Sequence, residues 1–384
     1  MNDTVRHIGT LVAQLHDDAR TATQLSDFGD NDYLEGLQRL VEDFVAIPGI
    51  DEDGLAGLAG FLVTSVLTVR LRTEEGWKRH PECLSGDLGA PVFIVGVPRT
   101  GTTALHQLLS VDPRFQVSEK WLHSYPKPRP PRDNWADDPD FRQVVAEAEF
   151  MPEWLRRTHF VGADEADECL APMAQSFVSN YFGSIASIPA YDEWMLAQDM
   201  TPSLVRYANF LRLIGSSSPG KTWLLKNPSH VLFIDELLDV FPGARVVQTH
   251  RDPQAALGSV VSVLSMIGKT VGVERPPRDI ARREIAVWSE GVRRIAEARR
   301  GRESSFYDVD YREFINRPLA VVRRLYEAFD LELSEQVANA MQRWLDSHPK
   351  DQRGAHSYDP DALGVDRHTI EEHFGPYIKE YELQ

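Results

Sequence analysis

The sequence predicts an α/β fold: a parallel β-sheet flanked by helices. A helical N-terminal extension over residues 1–88 precedes an α/β domain over 89–384, which carries a helical acceptor-side insertion at 141–215. Three observations carry this. Short apolar, β-branched runs recur along the chain. A segment with helical spacing follows each of them. Glycine or proline marks the joins. Alternating strands and helices imply a parallel sheet with helices on its faces.

Each element has its own sequence signal. In the extension, Leu34, Leu37, Leu40, Val41 and Phe44 recur on one helical face. The uncharged stretch Gly54–Val69 predicts a buried helix over Leu55–Arg72, capped by Asp51 or Asp53. It is short for a membrane span, which needs about 20 apolar residues. Trp77 to Gly89 reads as a connector. Pro91–Val97 is the first buried strand, with a helix at Thr103–Leu109 behind it. Prolines at 126, 128, 130, 131 and 139 make 126–140 a loop. Further strands are expected at Thr222–Leu225, Ala244–Thr249 and Phe306–Val309. Helices are expected at Val231–Val240, Pro253–Ile267 and Pro318–Phe329.

Charge narrows the partners. Lys and Arg number 41 and Asp and Glu 58, a net −17. Coating nucleic acid or an anionic membrane requires a surplus of cations, so no nucleic-acid partner is expected and a peripheral role on anionic membranes is disfavoured, with contact of the N-terminal helices with a membrane or lipid acceptor left open. The acidity concentrates before residue 90, whereas 275–302 is basic, with Arg282-Arg283, Arg293-Arg294 and Arg299-Arg300. That run reads first as a solvated helix face. Cys83 and Cys169 form no CxxC pair, and no His/Cys cluster has zinc spacing. No metal is expected. The first twenty residues lack a signal-peptide apolar run, so a reducing, cytoplasmic setting is expected, with no transmembrane span. No oligomeric state follows from the sequence.

The chemistry concentrates in Gly96-Val97-Pro98-Arg99-Thr100-Gly101-Thr102-Thr103. GxxxxG followed by two hydroxyls, between strand and helix, is a P-loop outline with Thr102 in place of the lysine. Inward amides and a helix N-terminus make an anion cradle. Thr102 and Thr103 can donate, and Arg99 restores a cation as a planar fork. The missing lysine, and the lack of a strand ending in a magnesium aspartate, argue against a P-loop kinase. A second anion site lies at His250-Arg251-Asp252-Pro253. Arg251 ends a strand where α/β sheets bind ligands, and Ser259 follows two helical turns later on the same side.

These two motifs together resemble sulfotransferases that use 3′-phosphoadenosine 5′-phosphosulfate (PAPS). Pro98-Arg99-Thr100-Gly101-Thr102-Thr103 fits that superfamily's loop for the 5′-phosphosulfate. Arg251 and Ser259 match its arginine and serine for the 3′-phosphate. The chain is most similar to the bacterial, actinobacterial-type members, through Lys226-Asn227-Pro228-Ser229-His230 and Gly354-Ala355-His356-Ser357-Tyr358. The resemblance covers about residues 90–384. It implies a sulfotransferase fold and a metal-free, in-line transfer of a sulfuryl group from PAPS, leaving PAP. The acceptor would be a hydroxyl of a small-molecule or lipid-like compound.

The same resemblance implies site residues. Arg99, Thr100, Gly101, Thr102 and Thr103 would hold the phosphosulfate, and Arg251 and Ser259 the 3′-phosphate. Arg353 and Gly354, or the early part of the basic run, are further candidates for that phosphate. Lys226 would touch the bridging or sulfuryl oxygens. Three residues compete as catalytic base. Glu119 lies about twenty residues after Arg99, as in related enzymes, although Trp121 is followed by Leu122 where many bacterial relatives have glutamate. His123 and His230 are the others. His159, Asp164, Glu165 and Glu168 form a further polar cluster, open between a solvated loop and an acceptor-site role. The Leu55–Val69 helix and Trp121, Tyr125, Phe177, Tyr181 and Phe182 suit a greasy alcohol. A non-catalytic PAPS- or PAP-binding protein on the same fold is the alternative. It predicts damaged phosphate motifs, and both are intact.

Overall fold

A computed structural model describes residues 3–150, 162–348 and 359–383. Five parallel strands form its sheet in the order β2-β3-β1-β4-β5: β1 Val92–Gly96, β2 Phe115–Gln116, β3 Thr222–Lys226, β4 Arg245–His250 and β5 Phe306–Asp310. The central strand is registered on both sides, with Val92 opposite Leu224 and Arg245. Its side chains alternate between two cores, as the strand period of two requires. Val92 and Ile94 join one apolar cluster, and Phe93 and Val95 the other. β2 escapes sequence reading because two residues are too few to display a period.

Three helices build the N-terminal extension: α1 Asp3–Thr23, α2 Leu34–Val45 and α3 Glu52–Arg79. The expected α2 face holds, with Leu37, Leu40, Val41 and Phe44 fully buried and Leu34 exposed. Asp51 caps α3 by accepting from the Gly54 amide at 2.8 Å. One π-helical turn, Gly60–Thr64, interrupts α3. The helix passes the predicted end and continues to Arg79. Trp77 therefore sits on a helix and not in a connector, its indole donating to the Asn209 carbonyl at 3.1 Å.

The extension shares its core with the rest. Leu37, Phe44 and Leu67 lie in one cluster with Phe177, Tyr207 and Phe93. Buried Arg70 ties the join, donating to the carbonyls of Phe28 (2.7 Å), Asp30 (2.8 Å) and Gln175 (2.9 Å) and to Asp32 (2.6 Å). Among the described residues α3 alone is long and apolar enough to cross a membrane. Half of its most apolar window is buried inside the protein.

Next come α4 Thr102–Leu109, α5 Lys120–Ser124 and α6 Pro139–Glu149. The proline-rich 126–140 loop contains one 3₁₀ segment, Arg132–Asp137. The insertion supplies α7 Leu170–Met173, α8 Asn180–Ile185, α9 Pro189–Leu196 and α10 Thr201–Gly215. After β3 a 3₁₀ stretch, Pro228–Phe233, takes up the start of the helix expected from Val231. α11 proper is Ile234–Val240. The Asn227 side chain tightens this turn by accepting from the Ser229 amide at 3.0 Å. α12 Pro253–Thr270 and α13 Pro277–Ala298 separate β4 from β5. α14 Tyr311–Asn316, α15 Pro318–Ala328, α16 Glu335–Ser347 and α17 Arg367–Glu380 complete the described chain.

Candidate active site

The carboxyl ends of β1, β3 and β4 open into one cavity of about 690 Å³. Open α/β sheets bind ligands at this edge. At the end of β1 the chain turns sharply. Gly96 has φ 142, and a Cβ there would stand 2.6 Å from the Thr249 carbonyl oxygen, so only glycine fits. Gly101 caps α4 in the left-handed region at φ 91, and a Cβ would meet the Tyr311 ring at 3.0 Å. Arg99 also adopts positive φ (68), unusual for a residue with a Cβ. Such strain is typical of ligand loops.

The loop's hydroxyls divide their work. Thr100 is buried. It donates to the Val97 carbonyl at 2.7 Å and pairs with the Thr249 hydroxyl at 2.6 Å. Its hydroxyl thus ties the loop to β4 and is absent from the cavity lining. Pro98, Arg99, Gly101, Thr102 and Thr103 do line it.

The two predicted anion sites meet. Arg99 Nε donates to Ser259 Oγ at 3.1 Å, and Arg251 Nη1 donates to the Arg99 carbonyl at 2.8 Å. The Arg251 guanidinium also lies 4.5 Å from the centre of the Tyr311 ring. A network behind β4 holds this strand end. His250 bonds Tyr377 (3.0 Å) and Asp308 (2.9 Å), and its ring stacks on Tyr381 at 3.7 Å. Burial works to raise the Asp308 carboxyl, but His250 and Arg299 together hold it down, to about 2.

Lys226, at the end of β3, is buried and reaches back to the same loop. Its Nζ donates to Thr103 Oγ1 at 3.2 Å and to the carboxylate of Glu168. Glu168 lines the cavity beside Arg99 and Thr103.

Lys226 alone among the predicted catalytic residues reaches this set. Glu119 is buried and points elsewhere, bonded to Arg129 Nε at 2.9 Å. Burial raises its carboxyl above the usual range, with Arg129 opposing. His123 is buried against the Ser118 hydroxyl at 2.6 Å, and burial lowers its imidazole to about 4. His230 packs edge-on to Phe93 at 5.2 Å, with no hydrogen-bond partner for either ring nitrogen and burial lowering it to about 3. None of the three lines the cavity. Each is buried and committed elsewhere: Glu119 to Arg129, His123 to Ser118 and His230 to packing against Phe93. Arg353 and Gly354, with the rest of the Gly354–Tyr358 stretch, lie outside the described residues, as does His159.

The basic run turns inward in part. Arg283 joins Asp192 (2.7 Å), Glu284 (2.6 Å) and Asn180 (2.6 Å), and Arg275 donates to the carbonyls of Gly183 (3.3 Å), Ser184 (2.8 Å) and Ala186 (3.3 Å). Arg283 binds the insertion to α13, and Arg275 binds it to the segment just before that helix. The far wall of the cavity is apolar: Leu170, Tyr181, Ile185, Val260, Val263 and Leu264. Among the described residues no group of three or more His, Cys, Asp or Glu could hold a metal.

A model of the Sulfotransferase family matches residues 91–335. The chain belongs to the sulfotransferase family. Among curated relatives, omega-hydroxy-beta-dihydromenaquinone-9 sulfotransferase Stf3 of Mycobacterium bovis and of Mycobacterium tuberculosis are each 25% identical over 304 residues. The match spans 76% of this chain and 74% of theirs. Sulfotransferase STF1 from Mycobacterium tuberculosis H37Rv has a solved structure that is 34% identical. It superposes with TM-score 0.85, covering 95% of this chain and 98% of that one. Sulfotransferase STF9 from Mycobacterium avium is 26% identical, with TM-score 0.87 and 97% of each chain covered. The sulfotransferase is an enzyme that transfers a sulfuryl group to an acceptor, and the kinase and non-catalytic alternatives fall. STF1 and STF9 cover 95% and 97% of this chain, so the overlap must include most of residues 1–88, which the sequence resemblance covered only loosely.

Proposed function

We propose that this sulfotransferase draws its sulfuryl group from PAPS and places it on the hydroxyl of a lipid-like alcohol. The single observation that carries the donor half is the convergence of Arg99, Ser259 and Arg251 on one loop. Two guanidinium groups, a helix N-terminus and the hydroxyls of Thr102 and Thr103 fit a ligand with two separated anionic groups. PAPS, when bound, supplies the activated sulfuryl group. Arg99, Gly101, Thr102 and Thr103 would hold its phosphosulfate end, and Arg251 with Ser259 its 3′-phosphate. Thr100 would keep the loop in shape, and Lys226 would meet the charge left on the departing oxygen.

The acceptor half rests on the apolar wall formed by α7, α8 and α12. A wall of aliphatic and aromatic side chains rewards burial of hydrocarbon at about 25 cal/mol per Å². The relatives named for a hydroxylated menaquinone derivative support the same class. Cys83 and Cys169 are both buried and free, which favours a reducing cytoplasm.

Titration with PAP by calorimetry tests the donor. We expect saturable one-to-one binding that survives EDTA. An absence of binding, or binding that needs magnesium, overturns the reading.

A further inference from the structure

We propose that Glu168 is the catalytic base of the transfer and that it shares Lys226 with the donor loop. This rests on the reading of the cavity as a PAPS site.

The backbone explains how Glu168 gets there. Residues 163–169 run as a strap between the Ser118–Trp121 segment and the end of β3. Lys120 N donates to the Glu165 carbonyl at 3.1 Å, Trp121 N to Ala163 at 3.1 Å and Asp167 N to Ser118 at 3.0 Å. Glu119 and Ala166 pair as an antiparallel bridge. Cys169 N then donates to the Lys226 carbonyl at 3.0 Å. The strap is pinned on both sides, with Cys169 buried in the core and Glu168 facing the cavity. Glu119, on the supporting segment, faces Arg129. The segment the sequence marks for the base thus holds the strap that bears it.

Position favours Glu168 over Glu284, the other carboxylate lining the cavity among the described residues. A base must lie within hydrogen-bond reach of the hydroxyl it deprotonates. Lys226 Nζ bridges Glu168 and Thr103, so the carboxylate stands one ammonium away from the loop that would hold the phosphosulfate. Glu284 also lines the cavity, but its Oε1 is taken by Arg283 at 2.6 Å and its Oε2 by Trp288 at 2.7 Å. That pairing makes it a wall and not a proton acceptor.

The step balances. As the acceptor oxygen bonds to sulfur, Glu168 takes the hydroxyl proton. The electron pair of the breaking sulfur–oxygen bond stays on the departing 5′-phosphate oxygen, where Lys226 and the loop amides meet the charge. The products are the sulfate ester and PAP, and Glu168 returns its proton to water.

Glu168→Gln separates a base from a structural brace. We expect PAP affinity equal to wild type or tighter, because Lys226 no longer divides its charge with a carboxylate. Single-turnover transfer is measured with farnesol, geranylgeraniol and a menaquinone bearing a terminal hydroxyl, on whichever the wild type sulfates fastest. We expect a fall of about 10²- to 10⁴-fold, the usual span for loss of a general base. Added formate should restore part of the rate to Glu168→Ala. A brace would show neither the rescue nor the split. A tenfold loss of PAP affinity in Glu168→Gln, or transfer within threefold of wild type, overturns the assignment. If wild type itself binds no PAP, the donor reading has failed instead.

Discussion

Arg99, Gly101, Thr102 and Thr103 reach the cavity from one loop, Arg251 reaches it from one strand end, and Ser259 on the helix after it bonds Arg99. On the acceptor side of the same cavity, Glu168, Tyr181, Val263 and Trp288 arrive from the strap, α8, α12 and α13. The donor wall combines one local bond, Thr100 to the Val97 carbonyl, with cross-links from Thr100 to Thr249, Arg99 to Ser259, Arg251 to Arg99 and Lys226 to Thr103, but its ligand-bearing residues fall in two short motifs. The acceptor wall is held by pairings between segments far apart in sequence. A wall whose residues fall in two short motifs keeps its recognition wherever the loop, the end of β4 and the start of α12 are intact. A wall assembled over long range can change its specificity by changing a helix, without touching the donor.

The largest effect should fall on the donor wall. Arg251→Ala removes a charged hydrogen bond to the Arg99 carbonyl and the proposed phosphate contact. Hydrogen bonds to charged groups are worth about 1.5–3 kcal/mol, so PAP should bind about 10- to 100-fold more weakly. Calorimetry reads this directly, while the acceptor KM at saturating donor should hold. A rise in acceptor KM with PAP affinity intact would reverse the two walls.

The next effect is on stability and comes from the Lys226–His230 segment, which spans both. Lys226 reaches the loop and His230 does not. Burial lowers the folded His230 imidazole to about 3, against an ordinary value of 6.5. The unfolded chain therefore binds a proton near pH 5 that the folded chain refuses. The resulting stability is fully present above pH 6.5 and is lost as pH falls toward 3. His230→Phe should remove that loss. Between pH 7.5 and pH 5 the variant should lose about 2 kcal/mol less than wild type in urea melts. Equal losses in both would mean that His230 takes up a proton in the folded state and reaches solvent.

The sequence made the local wall legible and left the other partly hidden, for the same physical reason. Gly96 and Gly101 mark the loop because its backbone geometry demands glycine at that spacing, and Arg99 marks it as the cation between them. Arg251 and Ser259 are legible because strand end and helix pitch fix their relation. Thr100 was assigned to the ligand, yet only the neighbouring strand reveals that Thr249 claims its hydroxyl. Glu119 lies at the expected distance from Arg99. What spacing could not convey is that residues 163–169 pair with its backbone and bring in a different carboxylate. The signal for Glu168 was present as an acidic cluster before Cys169. It became decisive only through the contact with Lys226 across 58 residues. Inward-turned Arg283 was likewise invisible, because its partners Asp192 and Asn180 lie in the insertion.

The smallest effect is the most discriminating for the acceptor wall. Val263 is half-buried on α12, between Val260 and Leu264 on the lining and one helical turn beyond Ser259. Val263→Trp adds bulk to that wall without adding charge. If the wall receives hydrocarbon, the added ring should shorten the space available. Longer alcohols should then lose more than shorter ones. In apolar pockets a methylene's worth of fit is about 1–3 kcal/mol, so kcat/KM for geranylgeraniol should fall about tenfold relative to farnesol. PAP affinity should stay within twofold, because the donor contacts lie on Arg99 and Arg251. A uniform loss across chain lengths would point instead to a displaced α12. Ser259 sits on the same helix, so such a shift would also weaken PAP, and the paired measurement distinguishes a narrowed acceptor wall from a disturbed donor one.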